Sequence, residues 1–141
     1  MNGALDTSVL VAALVPTAEF HAESLALLNR GGWSVCLHGL AETFNTLTGG
    51  RLGFRVPADA ASEIIRLQIL PSITSTLLAE GDMLGAFAEA SPRGIRGAIL
   101  YDYLHLVAAK KAQAEKIYTL NVSDFRHFHR PGDPEIAHPA M

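Results

Sequence analysis

"AILYDYLHLVAAKKAQAEKIYTL", residues 98–120, joins a helical pattern to a strand, and its reading sets the fold class. Ten of the first twelve residues are apolar or aromatic, and only Asp102 and His105 break the run. A stretch so uniformly apolar reads as a buried helix, extended through "KKAQA" (110–114). "KIYTL" (116–120) then reads as a strand. A buried carboxylate is costly unless something pairs with it or binds it, which makes Asp102 the first candidate for chemistry.

The same alternation recurs on both sides of this stretch. "NGAL" (2–5) is a short strand, and "TSVLVAALV" (7–15) a helix with Thr7 or Ser8 as N-cap and Pro16 ending it. A helix over 19–30 is closed by Gly31 and Gly32, and "WSVCL" (33–37) is the second strand. Helical segments at 39–48 and 58–68 flank the loop 49–57. A strand at 72–78, a helix at 81–90 and the loop 91–97 lead into the opening stretch. A turn or short helix starts at Ser123, and the Pro-rich tail holds one edge strand around Glu135 and Ile136. Repeated strand–helix units need right-handed crossovers, which implies an α/β fold with a mainly parallel sheet between helices.

The 141 residues fit one domain, 1–141, and 49% are apolar, enough for a core without cross-links. The single Cys36 excludes an internal disulfide and a Cys-rich zinc site, reads as an inert buried thiol, and fits a reducing cytoplasm. A net charge of −3 argues against whole-surface nucleic-acid binding while leaving local basic clusters open. No apolar run approaches the roughly 18 residues of a membrane span. "VLVAALV" (9–15) lacks a preceding Lys or Arg and has Asp6 there instead, so it reads as structure and not as a signal peptide.

In parallel α/β sheets, ligands sit beyond the carboxyl ends of the strands. Asp6 ends the first strand, Glu42 follows the second, Asp124 follows "KIYTL", and Asp102 lies early in its helix after 91–97. Four carboxylates from distant segments can therefore meet at one sheet edge. Crowded carboxylates repel unless a cation neutralises them, and an all-oxygen set suits Mg²⁺ or Mn²⁺. Such a centre is suited to phosphodiester hydrolysis. Each acid also has a plainer role: Asp6 as a helix cap, Glu42 as a solvated surface charge, Asp124 as a cap or Asx-turn residue. His105 lies one turn after Asp102 on a similar face and reads either as a core histidine or as a group that orients Asp102 or contacts substrate; His127 and His129 read as surface or packing residues ahead of metal ligands. Phosphate-loop, dinucleotide-binding, HExxH and GxSxG motifs are all missing.

With these residues laid out, the sequence resembles the PIN-domain family, and within it the VapC-like toxins of bacterial toxin–antitoxin pairs. "ALDTSVLVAAL" is similar to the family's first motif, with Asp6, and "LHGLAETFNTLT" to its second, with Glu42. "GAILYDYLHLVAAKKAQAEKIYTLNVSDF" resembles the third and fourth motifs together, with Asp102 and Asp124, and with Thr119 and Asn121 beside them. The resemblance implies a three-layer α/β/α domain with a parallel sheet of four to five strands. It implies an Mg²⁺- or Mn²⁺-dependent endoribonuclease that acts on RNA, a cognate antitoxin as partner, and a homodimer. Some members carry an acid where Asn121 stands, so the fourth metal-site position falls to Asp124 or Asn121. Thr7, Ser8, Thr119 and Asn121 are expected to position waters or carboxylates. Arg51, Arg55, Arg93 and Arg96, in two Gly-containing loops, read equally as RNA backbone contacts or as ordinary solvated loop charges.

Two other classes compete. A non-catalytic RNA-binding or regulatory domain of the same fold gains nothing from clustered negative charge facing phosphates. A receiver-like signalling domain needs a Lys after a late strand, and the chain offers no convincing one.

Overall fold

The computed structural model describes residues 2–141. Five short strands, β1 (Gly3–Leu5), β2 (Trp33–Cys36), β3 (Ile73–Thr76), β4 (Lys116–Tyr118) and β5 (Glu135–Ala137), form one sheet in the order β3-β2-β1-β4-β5. Every neighbouring pair is parallel. The chain reverses its direction of travel across the sheet between β1 and β4. Seven α-helices accompany the strands: α1 (Thr7–Leu14), α2 (His21–Asn29), α3 (His38–Thr48), α4 (Ala58–Ile64), α5 (Glu80–Ala90), α6 (Ile99–Lys111) and α7 (Val122–Phe128).

The strands alternate their side chains between two apolar cores, as a pleat of period two requires. Ala4 and Ile117 point into one core with Leu104, Leu106, Phe125 and Phe128 from α6 and α7. Leu5, Trp33 and Val35 point into the other, with Val9 and Leu10 of α1 and Leu27 and Leu28 of α2. Helices thus cover both faces, giving the expected three-layer α/β/α architecture, and β5 completes the parallel sheet at five strands.

The structure departs from the sequence reading in local chemistry more than in element order. Asp6, and not Thr7 or Ser8, is the N-cap of α1, because its Oδ1 accepts from Val9 N at 3.2 Å. Thr7 and Ser8 are released to bond elsewhere. Helix α2 starts at His21, two residues later than expected, because Phe20 adopts a left-handed backbone with φ 61°. The helix expected over 58–68 is α-helical only to Ile64; residues Ile65–Ile69 widen into a π turn before a 3-10 turn at Leu70–Ser72. Helix α6 ends at Lys111, just before Gln113 at φ 59°.

Gly3 marks where the sheet tolerates no side chain. A Cβ there would lie 2.5 Å from the Trp33 ring. That ring is held by its Nε1–H bond to Leu27 O at 2.7 Å and by edge packing on Tyr118. Gly3→Ala is expected to lower stability by about 1–3 kcal/mol through overpacking, read as a lower urea midpoint at unchanged m-value. A wild-type midpoint would show that Trp33 moves aside freely.

Candidate active site

Asp6 is 1% exposed and sits where β1 feeds α1. Ser8 Oγ donates to its Oδ1 at 2.6 Å, and Thr119 Oγ1 donates to its Oδ2 at 2.6 Å. Thr119 also accepts from Asn121 N at 2.9 Å, and Ser8 accepts from Leu120 N at 2.9 Å. The ends of β1 and β4 are thereby sewn together at the switch in strand order. Burial pushes the Asp6 carboxyl up, against the opposing pull of His105 and of these hydrogen bonds.

Asp102, in the first turn of α6, is half-buried, and its carboxyl is pushed up to about 6. Burial is the main cause, and the negative charges of Asp6, Asp124 and Glu42 add to it while His105 opposes. The other three acids singled out in the sequence therefore all lie near enough to Asp102 to act on it. Asp124 is exposed in the first turn of α7. Asn121 precedes that helix, and its side chain makes no capping bond. Among the described residues, Asp6, Asp102 and Asp124 form no ion pair with Lys or Arg.

Glu42 lies in a different setting. Its Oε1 accepts from Thr7 Oγ1 at 2.8 Å and lies 2.8 Å from His105 Nε2. His38, one turn earlier on α3, places Nε2 3.3 Å from the same oxygen. Burial works to raise the Glu42 carboxyl, but the hydrogen bonds from His105 and Thr7, with the His38 ring close beside it, outweigh burial and hold the group below the usual carboxylate range. Gly39 makes this approach possible: a Cβ there would stand 3.0 Å from His105 Cε1 and 3.5 Å from Thr7 Oγ1.

Two histidines complete this corner. From sequence His105 reads as a core residue or as a group orienting Asp102 or contacting substrate; it is buried, at 2% exposure, and its Nε2 faces Glu42 and Thr7. His38 was not singled out, although its i,i+4 spacing from Glu42 on one helix was a usable signal. Cys36 is buried as expected, with Sγ 2.9 Å from His38 Nδ1. His129 bonds Pro134 O through Nε2 at 2.9 Å, a packing role.

The four loop arginines divide. Arg51, Arg55 and Arg96 are exposed. Arg93 is buried instead, bonding Asp133 Oδ2 at 2.5 Å and Phe128 O at 3.2 Å. Its guanidinium ties loop 91–97 to the C-terminal segment and is not free to track a polyanion. The sequence reading of Arg93 as an RNA contact or a solvated loop charge is corrected accordingly, because Asp133 pairs with it and it is buried.

The sequence matches the PIN domain over residues 4–130. The chain belongs to the PIN domain family. Its fold is shared with VapC20 of Mycobacterium tuberculosis, a sarcin–ricin loop cleaving toxin, at TM-score 0.71 and 15% identity, covering 94% of this chain and 100% of that one. It is shared with VapBC2 of Rickettsia felis, solved bound to a promoter DNA fragment, at TM-score 0.68 and 16% identity over 98% of both chains. FitAB bound to a DNA fragment aligns at TM-score 0.65 and 18% identity, covering 99% of this chain and 96% of that one. No curated protein is matched by sequence. No helix among the described residues of this PIN domain is long and apolar enough to cross a membrane.

The electrostatics of the acid cluster set a pH dependence for the metal-free protein. Asp102 has a folded pKa of about 6 against 3.8 for an ordinary aspartate, so between these values the folded state holds the proton more tightly than the unfolded one. Ionising Asp102 in that window therefore costs stability as pH rises. The side chain is partly open to water, so the full linkage value is screened to about 1 kcal/mol. Asp102→Asn is expected to gain that amount over wild type near pH 7 and nothing near pH 4, in chelator, by urea unfolding. Equal gains at both pH values would remove Asp102 as the strained acid.

Proposed function

We propose that this PIN domain is a divalent-metal-dependent endoribonuclease and the toxin of a toxin–antitoxin pair. The observation that carries the reading is Asp102, a carboxyl raised by burial and by three neighbouring acids with no Lys or Arg paired to relieve it. An oxygen-only cluster with uncompensated charge fits a hard cation, Mg²⁺ or Mn²⁺. Asp6, Glu42, Asp102 and Asp124 would hold the ion, with Asp124 favoured over Asn121 because its charge acts on Asp102. When bound, such an ion polarises a phosphodiester and supplies hydroxide near neutral pH.

The chain's own groups prepare that chemistry. Ser8 and Thr119 donate one bond to each oxygen of Asp6, which fixes the plane of its carboxylate. Thr7 and His105 keep Glu42 ionised and oriented. Asp102 enters from the rigid, apolar α6, whose packing holds its backbone in place. Arg51, Arg55 and Arg96 remain exposed and suited to RNA phosphates.

The partner reading rests on apolar surface. Leu67, Leu77, Leu84 and Phe87 are exposed on and around β3 and α5. An apolar groove lined by Leu37, Leu40, Leu77, Leu78 and Met83 opens beside His38. Such surfaces mark protein contacts, in keeping with an antitoxin and a second copy of the chain. The protein's place of action in this reading is the cytoplasm, where its RNA substrates lie.

Incubation of the purified chain with total cellular RNA and Mg²⁺ or Mn²⁺ should yield discrete 5′ ends on mapping. Chelator should stop cleavage, and Asp102→Asn should reduce it by at least about a hundredfold. Wild-type cleavage by Asp102→Asn would overturn the mechanism. RNA retention with no cleavage under any metal would replace it with a binding module.

A further inference from the structure

Glu42 stands between two donor sets of different chemistry. One is the carboxylate cluster; the other is a pair of imidazoles. His105 Nε2 lies 2.8 Å and His38 Nε2 3.3 Å from Glu42 Oε1. One ligand atom from each of His38, Glu42 and His105 lies within 4.8 Å of the others. Ligands around a tetrahedral zinc-type ion, each at about 2.1 Å, stand about 3.4 Å apart. The three atoms are therefore already close to that spacing.

The histidine orientation is also set. Cys36 Sγ, 2.9 Å from His38 Nδ1, anchors one side of the ring and presents Nε2 to Glu42. A partner on the far ring nitrogen is the usual support of a metal-bound imidazole. That His38 Nε2 is buried and makes no hydrogen bond of good geometry, so it lacks the contact a buried ring nitrogen requires. Two imidazoles with one carboxylate suit Zn²⁺ and its neighbours far better than Mg²⁺.

We propose that His38, Glu42 and His105 form a second metal site, for a zinc-type divalent ion, that shares Glu42 with the carboxylate cluster. Three protein ligands leave a fourth tetrahedral position for water. Thr7 Oγ1, 2.8 Å from Glu42 Oε1 and 3.1 Å from His105 Nε2, stands beside it. Binding displaces any proton held on the two ligating ring nitrogens. An ion in this site draws Glu42 away from the hard-cation cluster. Zinc-type ions therefore antagonise Mg²⁺-dependent cleavage, a consequence that rests on the nuclease reading; the site itself does not.

Cobalt(II) titration of the metal-free full chain, without RNA, tests the site directly. Tetrahedral Co²⁺ gives an intense visible band that octahedral Co²⁺ lacks. The wild type should develop this band at one equivalent, and Zn²⁺ but not excess Mg²⁺ should erase it. His38→Ala should weaken Co²⁺ binding at least about tenfold. Glu42→Gln, which keeps the side-chain shape, should do the same, while Asp102→Asn should retain the band. His38 is only half-buried, so it carries the test in place of the buried His105. No tetrahedral band, or a band that survives both His38→Ala and Glu42→Gln, overturns the proposal. A band lost in Asp102→Asn places the ion on the carboxylates and overturns it equally. None of these outcomes depends on RNA cleavage, so failure of the nuclease reading would be seen separately.

Discussion

The buried carboxylate of Asp6 is the constraint on which this structure turns. It caps α1 through Val9 N, and it receives the hydroxyls of Ser8 and Thr119. A carboxyl at 1% exposure is tolerated only if its oxygens are fully bonded, and here one oxygen serves the local helix while the other reaches the end of β4. A single side chain thus satisfies a helix start and closes the gap at the strand-order switch. The same bonds that make Asp6 affordable to the fold aim it at the carboxyl edge, where Asp102 and Asp124 arrive from α6 and α7.

The four acids are not equivalent, and their environments drive them apart. Glu42 is surrounded by donors and stays ionised well into acid. Asp102 meets burial and like charge, and titrates near 6. A cluster with one firmly charged member and one readily protonated member changes its net charge close to neutral pH. A bound cation lowers the pKa of any carboxylate it touches, so occupancy and protonation of Asp102 oppose each other. That opposition follows from where α6 enters the pocket, between an apolar core and three negative neighbours.

Much of this was legible from residue order. Strand–helix alternation sufficed for the α/β class, and the positions of Asp6, Glu42 and Asp124 after strands placed them at one edge. What the sequence concealed depended on contacts across the chain. His105 sits in an apolar helix, and apolar neighbours alone cannot separate a packed imidazole from one bonded to Glu42, 63 residues away. Arg93 lies in a Gly-containing loop and looked solvated; Asp133, 40 residues later, buries it in an ion pair. Residue order leaves the N-cap of α1 open among Asp6, Thr7 and Ser8, because all three are competent caps. Tertiary demand decided among them, sending Thr7 to Glu42 and Ser8 back to Asp6.

The Arg93–Asp133 pair shows how the periphery maintains the centre. Asp133 also meets Lys110 near the end of α6 at 2.9 Å and accepts from Arg130 N at 2.9 Å. Arg93 in turn reaches Phe128 O at the end of α7 and lies over the Tyr103 ring of α6 at 5.2 Å. Loop 91–97, α6, α7 and the segment leading to β5 are joined through these few groups. Asp102 and Asp124 occupy the first turns of the two helices joined in this way. Their separation is therefore fixed by a polar anchor at the opposite ends of those helices, together with the aromatic packing of Tyr103, Phe125 and Phe128. Repulsion between the acids then acts against these ties and adds to the burial that raises the Asp102 carboxyl.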